Sequence, residues 1–159
     1  MGNDYTDENV LTAVLAVYAA VFFFYVIFLI AYYVLMGFAY MSFFRKVGVE
    51  PWIGWVPFYN TWKWLEVGGQ QGWFSLLVLV PLGSYVYLVF HGIGMYRTGK
   101  AFGKDGAWVV LGLFFPFIWL FMLGAQNEVY RPEWNANFGW PPPLAGYGSA
   151  PGGTASPTA

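Results

Sequence analysis

The sequence predicts an all-α integral membrane protein with about three transmembrane helices, an interfacial or re-entrant Trp-rich segment and a disordered C-terminal tail. Three observations support this fold class. Of the 159 residues, 58% are hydrophobic and only 9% are charged, whereas soluble domains carry about 25% charged residues. Aromatic residues make up 23% of the chain. Three apolar stretches also approach or exceed the roughly 20 residues that a helix needs to cross a bilayer.

The charge balance and the absence of cysteine exclude several classes of function. Seven Lys and Arg stand against eight Asp and Glu, so the net charge is -1. This leaves no basic surplus for the phosphates of a nucleic acid. The chain has no cysteine, which excludes disulfides, thiolate metal sites and cysteine nucleophiles. We expect no cofactor, no metal and no nucleic-acid partner.

The chain begins with an acidic tail and one long apolar stretch. Residues 1–9 contain acidic side chains and no basic one, unlike the basic start of a signal peptide. Residues 10–44 contain no charged residue, and about 35 helical residues measure roughly 50 Å against a hydrocarbon core of about 30 Å. A long tilted or protruding transmembrane helix is predicted, ending at Arg45 and Lys46. Several tyrosines recur near a seven-residue spacing, either as a seam for a partner helix or as lipid-facing residues: Tyr18, Tyr25, Tyr32, Tyr33 and Tyr40.

Residues 47–72 are too polar to span and are predicted to lie at the membrane interface. Pro51 and Pro57 interrupt them, together with Lys63 and Glu66. Four tryptophans occur within this segment, and tryptophan prefers headgroup depth: Trp52, Trp55, Trp62 and Trp64.

Two further spans complete the predicted membrane domain of residues 10–131. The second covers residues 73–95 and the third residues 107–125, each with a proline near its middle, Pro81 and Pro116. Proline removes a helical hydrogen bond, so kinks are expected. The remaining residues, 132–159, are rich in Pro and Gly and are predicted to form a flexible tail.

Two arrangements of the chain in the membrane are compatible with the sequence. Three crossings with the N-terminus outside place four basic residues inside and three outside, which is no preference under the positive-inside rule. If residues 73–95 form a re-entrant hairpin instead, six basic residues share the cytoplasmic side and only Arg131 lies outside. The hairpin arms are too short to span and would need burial within protein. We expect three crossings, with the hairpin as the alternative.

Few residues suggest chemistry. The stretch from Gly94 to Lys100 resembles a phosphate-binding loop, but Ala101 replaces the hydroxyl residue that binds Mg²⁺. We therefore expect Arg97, Lys100 and Lys104 to meet anionic lipid headgroups. His91, the only histidine, is a candidate proton relay or ligand contact at membrane depth.

A serine and lysine pair at the end of the first span offers a further candidate. Ser42 and Lys46 stand four residues apart, a spacing that could pair a serine nucleophile with a lysine base. A lysine base needs burial to lower its pKa, and Lys46 follows Arg45 at a membrane exit. Serine-lysine hydrolysis is therefore not expected, and no catalytic residue is predicted.

Several short motifs occur in an order that resembles a known family. They are Trp55-Val56-Pro57-Phe58-Tyr59-Asn60, Gly72-Trp73-Phe74 before an apolar run, Ala101-Phe102-Gly103-Lys104, the run from Leu111 to Ile118 around Pro116, and Leu123-Gly124. Over residues 40–131 the chain resembles an uncharacterised family of small bacterial multi-pass membrane proteins, some of which carry the label signal peptidase I. That enzyme needs a β-rich catalytic domain, which this sequence lacks. The resemblance implies a bacterial cytoplasmic membrane and no catalytic residue.

Two functions follow as expectations. The first is a non-enzymatic accessory or structural subunit that packs against a membrane partner or itself, with Pro57, Tyr59 and Asn60 turning the chain. The alternative is an oligomeric transporter or channel subunit whose kinked spans create broken helix ends. Its working residues would be His91, Ser84, Asn60 and Arg97.

Overall fold

The computed structural model describes the backbone of residues 4–149 and the side chains of residues 8–149, and every regular element in this range is helical. The all-α prediction is therefore confirmed over the described residues, which contain no strand. The five α-helices are α1 (Asp4–Val47), α2 (Tyr59–Val67), α3 (Gly83–Ala101), α4 (Ala107–Phe114) and α5 (Pro116–Gly124). Three 3₁₀ helices lie at Pro51–Trp55, Gly72–Leu79 and Pro132–Phe138.

The chain divides into two compact units, the first ending at Leu35 and the second beginning at Met36. In the first unit every described side chain from residue 8 to 35 is exposed except Val26. Among the described residues, only α1, over Glu8–Val47, is a helix long and apolar enough to cross a bilayer. So large an exposed apolar area is typical of a surface that contacts a membrane or another protein.

The second unit has a dense aromatic core. One face of α1 enters it through residues spaced at helical intervals, among them Tyr40, Phe43, Phe44 and Val47. Further large buried side chains come from α2, α3 and α5, among them Trp64, Leu65, Met95, Trp119, Leu120 and Leu123. Burying each large apolar side chain stabilises a fold by about 1.5–3 kcal/mol.

Two segments of the second unit use the same device to reverse the chain. In each, a 3₁₀ helix ends at an extended valine, a proline follows, and the next residue adopts a left-handed conformation before an α-helix begins. The left-handed residues are Phe58, with φ 62°, and Leu82, with φ 65°. Non-glycine residues rarely adopt this conformation, which costs about 1–2 kcal/mol. The surrounding fold must therefore hold both turns in place.

The predicted second and third spans are not single helices. In place of a helix over 73–95, the 3₁₀ helix Gly72–Leu79 ends at Val80 and α3 begins after Leu82. In place of a helix over 107–125, α4 and α5 are separated at Phe115, whose φ of -134° and ψ of 65° are not helical. A residue that precedes proline is pushed out of the α region, and Pro116 does this to Phe115.

The tail predicted to be flexible from residue 132 is ordered as far as the structure describes it. It contains the 3₁₀ helix Pro132–Phe138, and Asn135, Pro143 and Ala145 are buried. Two backbone hydrogen bonds attach it to the core, from Leu144 N to Glu66 O at 2.8 Å and from Tyr147 N to Val47 O at 2.8 Å. Composition alone does not reveal such docking onto a core. Residues 150–159 of the predicted tail lie outside the described residues.

Candidate functional site: three hairpins with a basic base

The first hairpin lies beside the end of α1. After a turn closed by Val49 N donating to Phe44 O at 2.9 Å, the 3₁₀ helix Pro51–Trp55 runs back along α1. The ring centroids of Trp55 and Phe38 lie 4.9 Å apart. The chain then reverses at Phe58, and α2 returns towards the end of α1. Segment 47–67 is therefore a helical hairpin whose turn contains Pro57.

The second hairpin consists of the 3₁₀ helix Gly72–Leu79 and α3. The rings of Phe74 and Phe90, one from each arm, stack with centroids 3.9 Å apart. The two arms therefore run side by side and in opposite directions. The turn between them contains Val80, Pro81 and Leu82. Of the two orientation models, this geometry agrees with the re-entrant alternative.

The third hairpin consists of α4 and α5. Lys104 Nζ, just before α4, lies 2.7 Å from Glu128 Oε1, just after α5. A straight helix from Lys104 to Glu128 would hold the two residues about 36 Å apart, which no side chains could bridge. The chain therefore turns back at Phe115, so that the start of α4 and the end of α5 lie on the same side of the hairpin. The third predicted span, residues 107–125, is therefore a hairpin of two short helices.

The bases of the hairpins meet at one end of the second unit, which we call the basic end. Lys46 Nζ donates to the backbone oxygens of Gln126 at 3.2 Å and Glu128 at 3.0 Å. Arg131 N donates to Ala101 O at 2.8 Å. The end of α1, the end of α3 and the segment after α5 are thus joined there. The basic end and its approaches carry most of the cations of the chain: Arg45, Lys46, Arg97, Lys100, Lys104 and Arg131.

The turns of the hairpins, far from the basic end, expose large apolar side chains. Leu82 is 76% exposed and Phe114 is 75% exposed. Phe58 and Phe115 are also exposed, and so are several neighbours in the arms, including Leu79, Val80, Tyr85, Leu88 and Val89. Exposed apolar side chains in this number are typical of a surface that contacts a membrane or another protein.

His91 lies in an aromatic cluster inside the second unit. Its Nδ1 is 2.9 Å from the hydroxyl of Tyr87, and its ring centroid is 4.4 Å from that of Trp64. One hydrogen bond satisfies a neutral imidazole at this depth. The described residues contain no group of three or more His, Cys, Asp or Glu that could hold a metal ion.

The other residues proposed for transport have separate roles. Asn60 donates to Gly54 O at 3.3 Å and its Oδ1 accepts from Thr61 N at 2.6 Å, so it stabilises its own turn. Tyr59 packs against Trp52, with centroids 6.4 Å apart, and Lys63 lies 5.7 Å from its ring. Ser84 is exposed near the second turn. Among the described contacts, none joins His91, Asn60, Ser84 and Arg97 into one site.

The three basic residues that were predicted to meet lipid headgroups, Arg97, Lys100 and Lys104, fall into two groups. Lys104 is engaged by Glu128 and also lies 4.7 Å from the ring of Trp108. Arg97 lies 5.9 Å from the ring of Trp140, and Lys100 lies 5.6 Å from the ring of Tyr96. Neither of these two cations forms an ion pair with a described residue. The sequence analysis missed Trp140 and Glu128. Trp140 was hidden by its Pro/Gly-rich surroundings, and nothing in the sequence pairs Glu128 with Lys104.

Tyr130 is the most strongly perturbed group near the basic end. Burial raises the pKa of its phenol well above the usual range, and the nearby charge of Glu133 raises it further. The group is therefore neutral at physiological pH. Its hydroxyl is buried without a hydrogen-bond partner among the described residues, so it acts as packing for Phe102, whose ring centroid lies 5.1 Å away.

Comparison with known proteins identifies a family. Residues 52–132 match the family of unknown function DUF5684. The matched region covers half of the chain and most of the three hairpins. It confirms the resemblance to an uncharacterised family that the sequence motifs indicate. No curated protein and no solved structure gives a significant match.

Proposed function

The chain belongs to the DUF5684 family of unknown function, and we propose that it is a non-enzymatic integral membrane component that packs against another membrane protein or a second copy. In this proposal α1 crosses the bilayer once. The three hairpins enter one leaflet from the side on which α1 ends, and the acidic N-terminus lies on the opposite side.

The hairpin geometry supports a single crossing. Each hairpin has its base at or near the basic end and an exposed apolar turn away from it. From Ala101 back to Gly83, α3 measures about 27 Å, which is more than one leaflet of hydrocarbon, about 15 Å, and less than a full membrane of about 40–45 Å. Helical hairpins of this length fit a leaflet together with its headgroup layer. Their backbone hydrogen bonds are mostly made within the helices, as the hydrocarbon region requires.

The distribution of charge supports the same placement. With one crossing, all seven basic residues lie on the side of the membrane opposite the N-terminus. Lysine and arginine concentrate on the cytoplasmic side of membrane proteins. The three-crossing arrangement divides them four against three. We therefore place the basic end at the cytoplasmic surface and residues 1–9 outside.

The tyrosines of α1 carry the proposal of a partner. Tyr18, Tyr25 and Tyr32 are seven residues apart and exposed, and this spacing places them along one face of the helix. The described residues supply no hydrogen bond to the hydroxyls of Tyr18 or Tyr25. A phenol hydroxyl in hydrocarbon costs free energy when it has no partner, and a second helix supplies one. The tyrosine seam, as we call these three residues, is therefore the proposed contact surface.

Cysteine labelling tests the single crossing, because the natural chain has no cysteine. We expect Asp105→Cys and Asn127→Cys to react with a membrane-impermeant maleimide from the same side, since they flank α4 and α5. Asn9→Cys should react from the opposite side. Leu82→Cys should not react from either side until the membrane is dissolved.

This experiment separates the single crossing from both orientation models, because residues 107–125 cross the bilayer in each of them. If residues 107–125 crossed the bilayer, Asp105→Cys and Asn127→Cys would label from opposite sides. That result would refute the proposal that α4 and α5 form a hairpin within the membrane. Labelling of Leu82→Cys in intact vesicles would show that the second turn lies in water.

Extraction in native membrane discs tests the partner. We expect mass spectrometry and single-particle sizing to find either a stoichiometric membrane protein or a second copy with the chain. The triple substitution Tyr18→Phe, Tyr25→Phe and Tyr32→Phe should release it, because the hydroxyls are lost while the apolar surface remains. Tyr85→Phe, an exposed tyrosine on α3, serves as the control. A chain that is monomeric and alone in discs would contradict the proposal.

A further inference from the structure

A groove on the surface of α3 combines an apolar channel with a cationic end. It has a volume of about 460 Å³ and is lined by Val89, Gly92, Ile93, Tyr96, Arg97 and Trp140. Val89 and Ile93 are exposed, one turn apart. A methyl group placed on Gly92 would meet no atom within 4 Å, so the glycine leaves an open notch between them. We call this surface the α3 groove.

The cationic end of the α3 groove has two basic groups. The Arg97 guanidinium lies 5.9 Å from the ring of Trp140, and Lys100 Nζ lies 5.6 Å from the ring of Tyr96. The rings of Tyr96 and Trp140 pack edge to face at 5.6 Å. No carboxylate pairs with Arg97 or Lys100 in the part of the chain that the structure describes. Arg97 is half-buried, so its hydrogen-bond donors require an anionic partner more than those of a fully solvated side chain would.

The length of the exposed apolar face of α3 that contains the groove indicates the occupant. From Val86, another exposed apolar residue, to Arg97 the helix rises about 16 Å. This length matches the hydrocarbon of one leaflet, about 15 Å. An amphiphile with one acyl chain beside Val86, Val89 and Ile93 would place its headgroup at Arg97 and Lys100. Aromatic side chains such as Tyr96 and Trp140 favour that same headgroup depth.

We propose that the α3 groove binds one anionic phospholipid, with an acyl chain along Val89, Gly92 and Ile93 and the headgroup phosphate on Arg97 and Lys100. Arginine and lysine donate charge-assisted hydrogen bonds to phosphate oxygens. The binding site rests on the proposed membrane placement, which holds the cationic end at headgroup depth and the channel in the leaflet.

Native mass spectrometry of the full chain in detergent, titrated with phosphatidylglycerol, tests the site. We expect one lipid to remain bound, and phosphatidylcholine, which has no net charge, to bind more weakly. The double variant Arg97→Ala and Lys100→Ala should lose about thirtyfold in affinity, from the attraction of each cation to anionic lipid. Arg45→Ala, which removes an exposed arginine elsewhere, should bind as the natural chain does.

A second variant separates a lipid site from a simple phosphate site. Gly92→Leu fills the notch and should weaken phosphatidylglycerol binding, while the melting temperature in detergent does not fall, because leucine is a better helix former than glycine. If Gly92→Leu binds normally, or if glycerol phosphate binds as tightly as the lipid, the groove holds a free phosphate and the proposal is overturned. Equal loss in Arg45→Ala would indicate unspecific attraction and would also overturn it.

The cysteine-labelling experiment distinguishes failure of the lipid site from failure of the proposed membrane placement. A chain that labels as a single crossing but retains no phosphatidylglycerol refutes the lipid site alone. A chain with Asp105→Cys and Asn127→Cys on opposite sides refutes the placement, and with it the depth argument for the groove.

Discussion

Gly54→Ala is expected to destabilise the second unit by about 3 kcal/mol, the upper part of the range for overpacked sites. The added methyl group would lie 2.7 Å from the backbone nitrogen of Met41, 3.0 Å from Cβ of Tyr40 and 3.1 Å from the backbone oxygen of Gly37. Two of these neighbours are backbone atoms of α1, so no side-chain rotation relieves the contact. The first hairpin would have to move away from α1.

Gly92→Ala is the matched control for this prediction. Both substitutions add one methyl group, but Gly92 lies in the α3 helix with open space around it. Alanine is favoured over glycine inside a helix by about 1 kcal/mol, so this variant should be slightly more stable. The free energy of unfolding in mild detergent, followed by tryptophan fluorescence during titration with a denaturing detergent, measures both. Unchanged stability of Gly54→Ala would contradict the close approach of the first hairpin to α1.

The first helix could be predicted closely from the sequence. The predicted span of residues 10–44 lies within α1, Asp4–Val47, because a long apolar run without charge has few structures open to it other than a helix. The predicted length did not reveal that the helix has two environments. From residue 8 to 35 nearly every side chain is exposed, whereas Phe43, Phe44 and Val47 are buried. Hydropathy is the same for both parts and cannot separate lipid from a protein core.

The hairpins could not be predicted because they depend on the direction of the chain. A proline inside an apolar run is compatible with a kinked crossing and with a reversal, and local propensity is similar in both. Contacts between residues distant in sequence decide the matter. The ion pair of Lys104 with Glu128 and the stacking of Phe74 on Phe90 are such contacts. Of the two orientation models, the charge count favoured the one in which residues 73–95 are re-entrant. Neither model included the third hairpin, which α4 and α5 form.

The candidate site was predicted in part. Arg97 and Lys100 were identified from the sequence as cations near the membrane surface, and their placement beside an apolar groove is consistent with that prediction. Trp140, which completes the aromatic end of the groove, could not be identified. Its segment is rich in proline and glycine, and its order depends on burial of Pro143 and on hydrogen bonds to Glu66 and Val47. Composition carries no information about such docking.

The double substitution Leu82→Asp and Phe114→Asp is expected to cost about 6 kcal/mol in a bilayer, with about 3 kcal/mol from each aspartate at membrane depth. Within the protein the two side chains make few contacts, since they are 76% and 75% exposed. The left-handed backbone at Leu82 also suits aspartate better than leucine. The expected cost therefore arises almost entirely from the membrane. It is comparable to the whole stability of many proteins, so the variant should be largely unfolded in bilayer discs.

Val129→Asp separates the membrane effect from a general effect of charge. Val129 is an exposed apolar residue next to Glu128 at the basic end, where the proposed placement puts it at the aqueous surface. Its substitution should leave the free energy of unfolding in discs within about 0.5 kcal/mol of the natural value, as is usual for surface positions. If the double variant at the turns is as stable in discs as Val129→Asp, the turns lie in water. The exposed leucine and phenylalanine would then belong to an interface with another protein, and only α1 would remain in the bilayer.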